Sequence, residues 1–373
     1  MPATIGRYAV ERELGRGGMG RVYLAWSEAG EPVAVKVIRQ DRIDVETRRR
    51  FEREALIART VIGTSQVPRV LGADSFADEP WLAMEYVAGA TLRDFVAEHG
   101  PLPAPLVVGL GVVLVDGLRG VHGAGLVHRD MKPQNIILAD RGPVLIDFGL
   151  GAFVERLGES ISSGGRFLGT LCYMAPEQVD GVSTVTTKTD LHALGAVLLY
   201  AATGNLPYGN DGAVTLNRIC DRAAPPELDG LPAALVPLVG SLLAHDPDDR
   251  PSLEAVLATY VELLTAAGTT VRDVRRMLVA ETFREVAEAP SRSSSLDARL
   301  AGLAAKFVEL PADIGGLDRP VGLGGALVPP PEPEPATPVS AGRVAARLRV
   351  ANRLREQYGR QLPLWSSSSR RPV

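Results

Sequence analysis

The run His128-Arg129-Asp130-Met131-Lys132-Pro133-Gln134-Asn135, followed by Asp147-Phe148-Gly149, constrains this chain more than any other stretch. It offers, in order, a carboxylate (Asp130) that can orient a hydroxyl and accept its proton, and an ammonium (Lys132) that can offset charge on a transferring group. An amide (Asn135) and a second carboxylate (Asp147) follow as hard oxygen ligands for Mg2+. One such tripeptide occurs by chance; the whole set in order does not. The set suits phosphoryl transfer from a nucleotide, a chemistry in which positioning and electrostatics carry the rate.

Upstream, Gly15-Arg16-Gly17-Gly18-Met19-Gly20-Arg21-Val22 follows the apolar positions Tyr8, Val10 and Leu14 and precedes a strand-like stretch, Val22 to Trp26. Glycines at 15, 17 and 20 let backbone approach phosphate oxygens with no Cβ in the way. The same spacing occurs in dinucleotide-binding turns, but those open a helix at the third glycine, whereas here a strand follows. Next comes Val33-Ala34-Val35-Lys36-Val37, a strand of buried character interrupted by one cation. A lone lysine of this kind is ordinarily a solvated one; the helical stretch Thr47 to Arg59, with Glu52 and Glu54, supplies candidate partners.

The wording HRDMKPQN…DFG resembles the eukaryotic-type (Hanks-type) serine/threonine protein kinases, and GRGGMGRVY resembles their bacterial branch. The resemblance covers about the first 265 residues and implies an α+β, bilobal protein-kinase fold. It implies a small β-rich N-lobe (about 1–87) and a larger helical C-lobe (about 88–265) with Mg-ATP between them. Around ATP it implies Leu14, Gly15, Gly17, Gly20, Val22, Ala34, Lys36, Met84, Glu85, Val87 and Ile137, with Met84 as gatekeeper and the Glu85 carbonyl and Val87 amide on the adenine edge. Lys36 would bridge the α- and β-phosphates with Glu54 as its ion-pair partner, Glu52 being the fallback. Asp130 becomes the catalytic acceptor, Lys132 the γ-phosphate cation, and Asn135 and Asp147 the Mg2+ ligands, with Mn2+ as an alternative metal.

Residues 147–177 resemble an activation segment ending in Ala175-Pro176-Glu177. By that resemblance Glu177 pairs with Arg250, Thr170 hydrogen-bonds Asp130 and Lys132, Asp190 supports the catalytic-loop backbone and His128 props it. Arg129 offers a cation that a phosphorylated loop could dock on, and Ser160, Ser162 and Ser163 are the candidate sites of trans-autophosphorylation, which needs two copies to meet. The connection Val61 to Pro68 departs from the family's His-Pro-Asn word. The implied activity is transfer to Ser or Thr of protein substrates in bacterial-type signalling. A silent pseudokinase scaffold would be expected to lack one of Lys36, Asp130 or Asp147, and all are here; a small-molecule kinase would not need Thr170 or the Ala-Pro-Glu word.

Pro105 to Val127 is apolar enough to suggest a membrane span, but Asp116 and Arg119 interrupt it and the catalytic run begins at its end, so it reads as a core helix. With no transmembrane segment or signal peptide in this reading, a cytoplasmic location is expected. The balance of 44 acidic against 40 basic residues in 373 gives a net charge of −4 and argues against a nucleic-acid partner. Two cysteines, Cys172 and Cys220, fit a reducing compartment, with Cys172 the one open to oxidation. The five histidines show no metal-ligand spacing, and apart from His128 they read as surface or helix residues.

Beyond residue 265 the expected order is a helical extension (266–310), a Gly/Pro-rich linker (311–340) and a basic amphipathic helix and tail (341–373). In the last, Val344, Leu348, Ala351, Leu354, Tyr358 and Leu362 recur at helical steps among arginines. Docking, on a partner or on the chain's own catalytic domain, is favoured over a membrane-surface or nucleic-acid role, because no aromatic row interleaves the basic residues.

Overall fold

Strict alternation in Val33-Ala34-Val35-Lys36-Val37-Ile38 puts valines on one face of a strand and Ala34, Lys36 and Ile38 on the other. In the computed structural model, which describes residues 2–16, 20–38, 48, 52, 55, 64–147, 171–179 and 185–283, both faces are used. Strands β1 (Thr4–Ile5), β2 (Tyr8–Arg16), β3 (Gly20–Trp26), β4 (Pro32–Ile38), β5 (Val70–Asp74) and β6 (Trp81–Glu85) form an antiparallel sheet of order β1-β2-β3-β4-β6-β5. Val33, Val35 and Val37 bury against Tyr8, Tyr23, Ala25 and Ala83. Register then fixes the other face: Val22 lies opposite Lys36, Leu82 opposite Lys36 on the far side, and Ala34 opposite Met84. Directly opposed residues share a face, so Val22, Ala34, Lys36, Leu82 and Met84 all look the same way. Ala55, helical like Arg48 and Glu52, packs there with Ile38, Leu82 and Met84.

Past Glu85 the chain becomes mainly helical. Its elements are β7 (Ala90–Thr91), α1 (Leu92–His99), α2 (Ala104–Gly123), β8 (Ile136–Ala139), β9 (Gly142–Leu145), α3 (Pro176–Val179), α4 (Thr187–Thr203), α5 (Gly212–Cys220), α6 (Val236–Leu242), α7 (Leu253–Ala266) and α8 (Val271–Thr282). Capping side chains start several of these helices. Thr186 accepts from the Lys188 amide, Ser252 from that of Ala255 and Thr270 from that of Asp273, each satisfying a donor the helix cannot pair itself.

The α2 helix is apolar all round because it is the axis of this lobe: α4, α7, α8 and β9 pack on it. Among the described residues it alone has the length and apolarity to cross a membrane, yet it is 72% buried inside the fold, as a core helix should be. Its glycines admit close neighbours. A Cβ at Gly111 would fall 2.0 Å from the Tyr260 hydroxyl of α7, and one at Gly109 would fall 3.1 Å from the Val274 carbonyl oxygen of α8.

Helix α8 falls in the helical extension expected beyond residue 265, and it packs on the core of the large lobe. Val274 and Leu278 are both 0% exposed and belong to the same core cluster as α2, α4 and α7. Fully burying two such side chains is worth about 1.5–3 kcal/mol each. The linker at 311–340 and the basic helix at 341–373 lie outside the described residues.

Candidate active site

The catalytic run forms the loop between α2 and β8, and one buried carboxylate organises its backbone. Asp190, in the first turn of α4 and 0% exposed, accepts the His128 amide (2.8 Å) and the Arg129 amide (2.8 Å) and bonds His122 Nε2 (2.7 Å). Arg129 has φ +67°, a left-handed conformation that costs a non-glycine residue about 1–3 kcal/mol and persists only where neighbours fix it. Asp190 does so from above; the Gln178 side chain of α3 donates to the Arg129 carbonyl (3.0 Å) from below.

His128 is fully buried and its tautomer follows from its partners. Nδ1 accepts the Asp130 amide (3.2 Å), so Nε2 carries the proton and donates to the Ile146 carbonyl (3.0 Å). Burial also holds its pKa below the usual imidazole value, which favours this neutral form.

Asp130 sits under two donors. Lys132 Nζ lies 2.8 Å from both carboxylate oxygens, and Asn135 Nδ2 donates to the Asp130 carbonyl (2.7 Å) and to Oδ2 (3.0 Å). Since the carboxamide is planar, engaging its nitrogen turns the Asn135 oxygen away from Asp130. The Ile146 amide donates to the Asn135 carbonyl (2.8 Å), tying that residue to the segment carrying Asp147.

Asp147 also has positive φ, +62°, and its Oδ2 lies 2.9 Å from Lys36 Nζ. Burial pushes this carboxyl upward, but the Lys36 ammonium outweighs it and holds the pKa below the usual carboxylate range. Lys36 itself is only 7% exposed, so the pair joins the sheet of the small lobe to the loop of the large one. Among the described residues no group of three His, Cys, Asp or Glu side chains could cage a metal. The Asn135 oxygen and Asp147 carboxylate are two hard donors, the set suited to Mg2+ that takes its other ligands from phosphate and water.

Val22, Ala34 and Met84 share the face of Lys36, with Met84 buried against Ala34 and Ala55. Val87 and Ile137 meet in a small cluster with Ala139 and Val144. Leu14, at the end of β2, is 36% exposed. A Cβ at Gly15 would meet no atom of the described chain within 4 Å, whereas one at Gly20 would collide with the Val37 carbonyl oxygen at 1.8 Å. Glycine at 20 is thus demanded by the sheet, independently of any phosphate.

Farther from the site, Arg250 is fully buried and all five of its N–H donors are used. Nη1 and Nη2 grip the two Glu177 oxygens (2.7 and 2.8 Å), and the remaining bonds go to the carbonyls of Ala244, Lys188 and His245. Burial raises the Glu177 pKa and the Arg250 guanidinium lowers it more, leaving it below the usual value.

A family model for the protein kinase domain matches residues 8–261, well over half of the chain. The chain belongs to the protein kinase family. Similar members include the probable serine/threonine-protein kinase PkwA of Thermomonospora curvata, 44% identical over 260 residues, covering 69% of this chain and 34% of that protein. AfsK of Streptomyces coelicolor is 39% identical over 264 residues, covering 70% and 32%. The chain therefore spans about a third of the length of these two relatives. PknL of Mycobacterium tuberculosis is 34% identical over 303 residues, covering 78% of this chain and 72% of that protein. Among solved structures, the Mycobacterium tuberculosis PknI kinase domain superposes with a TM-score of 0.55 at 29% identity, covering 69% of this chain and 96% of that one.

Of the kinase residues expected from sequence, Gly17, Glu54, Ser160, Ser162, Ser163 and Thr170 lie outside the described residues. Within them, Asp147 is the partner Lys36 takes, and Glu52 is exposed. One sequence reading is overturned. Cys172 is 3% exposed and burial pushes its thiol pKa up, so it is not the oxidation-prone residue expected. His122 and His192 lie in helices, as one of the two readings had them: the first bonds Asp190, and the second is fully buried with its ring parallel to Tyr208. No local pattern announces His122 or Gln178, since their partners are 68 and 49 residues away.

Proposed function

We propose that this chain transfers the γ-phosphoryl group of ATP to serine or threonine hydroxyls of proteins, including its own. The observation that carries the reading is the Asp130 carboxylate held by Lys132 and Asn135 on a backbone pinned by Asp190. The hydroxyl oxygen attacks the γ-phosphorus, the bond to the β–γ bridging oxygen breaks, and the hydroxyl proton passes to Asp130. Lys132, 2.8 Å from that carboxylate, offsets charge on the transferring group.

Asn135 and Asp147 would hold Mg2+, which when bound neutralises phosphate charge. Lys36 would then turn to the α- and β-phosphates, exchanging one anionic partner for another. Met84, Val22 and Ala34 offer the apolar wall an adenine needs, with the Glu85 carbonyl and Val87 amide on its edge. Phosphorylation within 160–170, action in the cytoplasm and a partner for the basic C-terminal helix belong to the same proposal.

Incubation with Mg-ATP, read as mass gain on the intact chain, tests it. The wild type is expected to gain phosphate on Ser or Thr, while Lys36→Met and Asp130→Asn gain none and Asp130→Asn still binds nucleotide. Turnover retained by Asp130→Asn would refute the role given to that carboxylate.

A further inference from the structure

Just behind the junction of the lobes, two arginines connect three segments that are distant in sequence. Arg141, at the turn between β8 and β9, donates Nη1 to Glu85 Oε1 (2.7 Å) and Nε to the Ser65 carbonyl (3.0 Å). Glu85 is the last residue of β6, where the chain leaves the small lobe. Ser65 belongs to the stretch whose wording departs from the kinase pattern. The carbonyl of its neighbour Gln66 accepts the Leu145 amide (2.7 Å), two residues before Asp147.

The second arginine comes from α8, outside the stretch 8–261 that the kinase family model matches. Arg275 Nη2 donates to the Arg141 carbonyl (3.1 Å). Gln66 is 1% exposed, and one orientation of its carboxamide satisfies every neighbour: the oxygen accepts from Arg275 Nη2 (2.8 Å) and the nitrogen donates to Asp116 Oδ2 on α2 (3.1 Å) and to Thr64 Oγ1 (3.1 Å). Arg275 has a fixed origin. Its neighbour Val274 is fully buried with its carbonyl against Gly109, and Thr270 caps the helix a turn earlier.

We infer that Arg275 is a positioning residue for nucleotide binding, acting through Arg141 and Gln66 on the hinge end of β6 and on the loop 64–66. Its place in nucleotide binding rests on the phosphotransfer reading, because that reading puts adenine at Glu85 and Val87. Without Arg275, the Gln66 oxygen and the Arg141 carbonyl lose their shared donor, and the turn that presents Arg141 to the hinge loses its tie to α8. The groups that act on the hydroxyl, Asp130 and Lys132, hang from Asp190 instead and are untouched. The effect therefore falls on affinity for nucleotide and not on the transfer step.

The test uses the full chain and Arg275→Met, which keeps the packed methylenes and removes the donors. Leu264→Ala, in the α7 core, serves as a control that lowers stability without touching the polar strap. Titration calorimetry with Mg2+ and a non-hydrolysable ATP analogue is expected to show Kd raised about five- to tenfold in Arg275→Met. KM for ATP rises with it and kcat stays within about twofold. Arg141→Met combined with Arg275→Met is expected to bind no more weakly than Arg141→Met alone, since both act through one path. Unchanged Kd in Arg275→Met overturns the inference. So does a Kd in Leu264→Ala that weakens in step with its loss of thermal stability, because Arg275 would then act only through overall stability. A wild type that binds the analogue but transfers no phosphate overturns the phosphotransfer reading alone, while one that binds no nucleotide overturns both.

Discussion

Arg250 and Glu177 show what a buried charge needs in order to be tolerated. Removing either group from water is costly, and the cost is met only because the guanidinium finds an acceptor for each of five donors and Thr189 adds a hydroxyl bond to Glu177 (2.9 Å). Breaking the pair leaves an uncompensated charge in the core, so Glu177→Gln is expected to cost about 3–5 kcal/mol at neutral pH. The folded-state pKa of Glu177 is lowered from its usual 4.5, so its contribution is fully present above that value. It is lost as pH falls through the folded-state value, when the folded form must also take up the proton. Chemical denaturation of wild type and Glu177→Gln from pH 7 downward should show a gap that is constant to about pH 5 and closes below 4. A gap independent of pH would mean that Glu177 acts by shape and not by charge. Asp190 carries a different burden at the same scale, because one oxygen takes the Arg129 amide and the other the His128 amide, which holds Arg129 in a conformation the residue would otherwise leave.

At the scale of elements, α2 illustrates how a helix can be read correctly in outline and incompletely in detail. Tyr260 buries its ring on α2 with a hydroxyl that has no hydrogen-bond partner among the described residues. Replacing a buried unsatisfied polar group by hydrogen removes a desolvation cost, so Tyr260→Phe is expected to be neutral or stabilising by up to about 1 kcal/mol. Gly111→Ala should destabilise by about 1–3 kcal/mol through overpacking. Tyr260→Phe restores only part of that loss, since the added methyl would still face Cζ at 2.4 Å. Melting temperatures of the two single variants and the double variant check this; full restoration would show that the hydroxyl alone makes the clash. The apolar spacing and the interrupting Asp116 and Arg119 were enough to recognise α2 as a core helix. The role of Gly109 and Gly111 was not legible, because it depends on which helices arrive at that face. The same reason hid α8: its composition announces a helix, but only the meeting of Val274 with Gly109 makes it part of the lobe. Local words such as His128-Arg129-Asp130 carried the site. Partners drawn from other elements, such as His122 and Gln66, could be found only once the chain was folded.

For the whole molecule, the telling contact is Lys36 with Asp147, since one comes from the sheet and the other from the large-lobe loop. The two charges satisfy each other at 2.9 Å. Binding Mg-ATP would supply each with a new partner, phosphate for Lys36 and metal for Asp147, so metal and nucleotide should stabilise the fold together. A ligand that binds only the folded chain at 100 times its Kd adds about 2.7 kcal/mol, or roughly 5 °C in a domain of this size. Thermal shifts with ADP are therefore expected to need Mg2+ for most of their amplitude in the wild type. Asp147→Asn should keep the small metal-independent part and lose the rest, whereas Lys36→Met should lose both and Asp130→Asn neither. If Asp147→Asn responds to Mg2+ as the wild type does, the metal is held elsewhere and the pairing with Lys36 serves only to close the lobes. The three variants separate the groups that bind from the one that reacts, a division the geometry already draws by hanging Asp130 from Asp190 and Asp147 from Lys36.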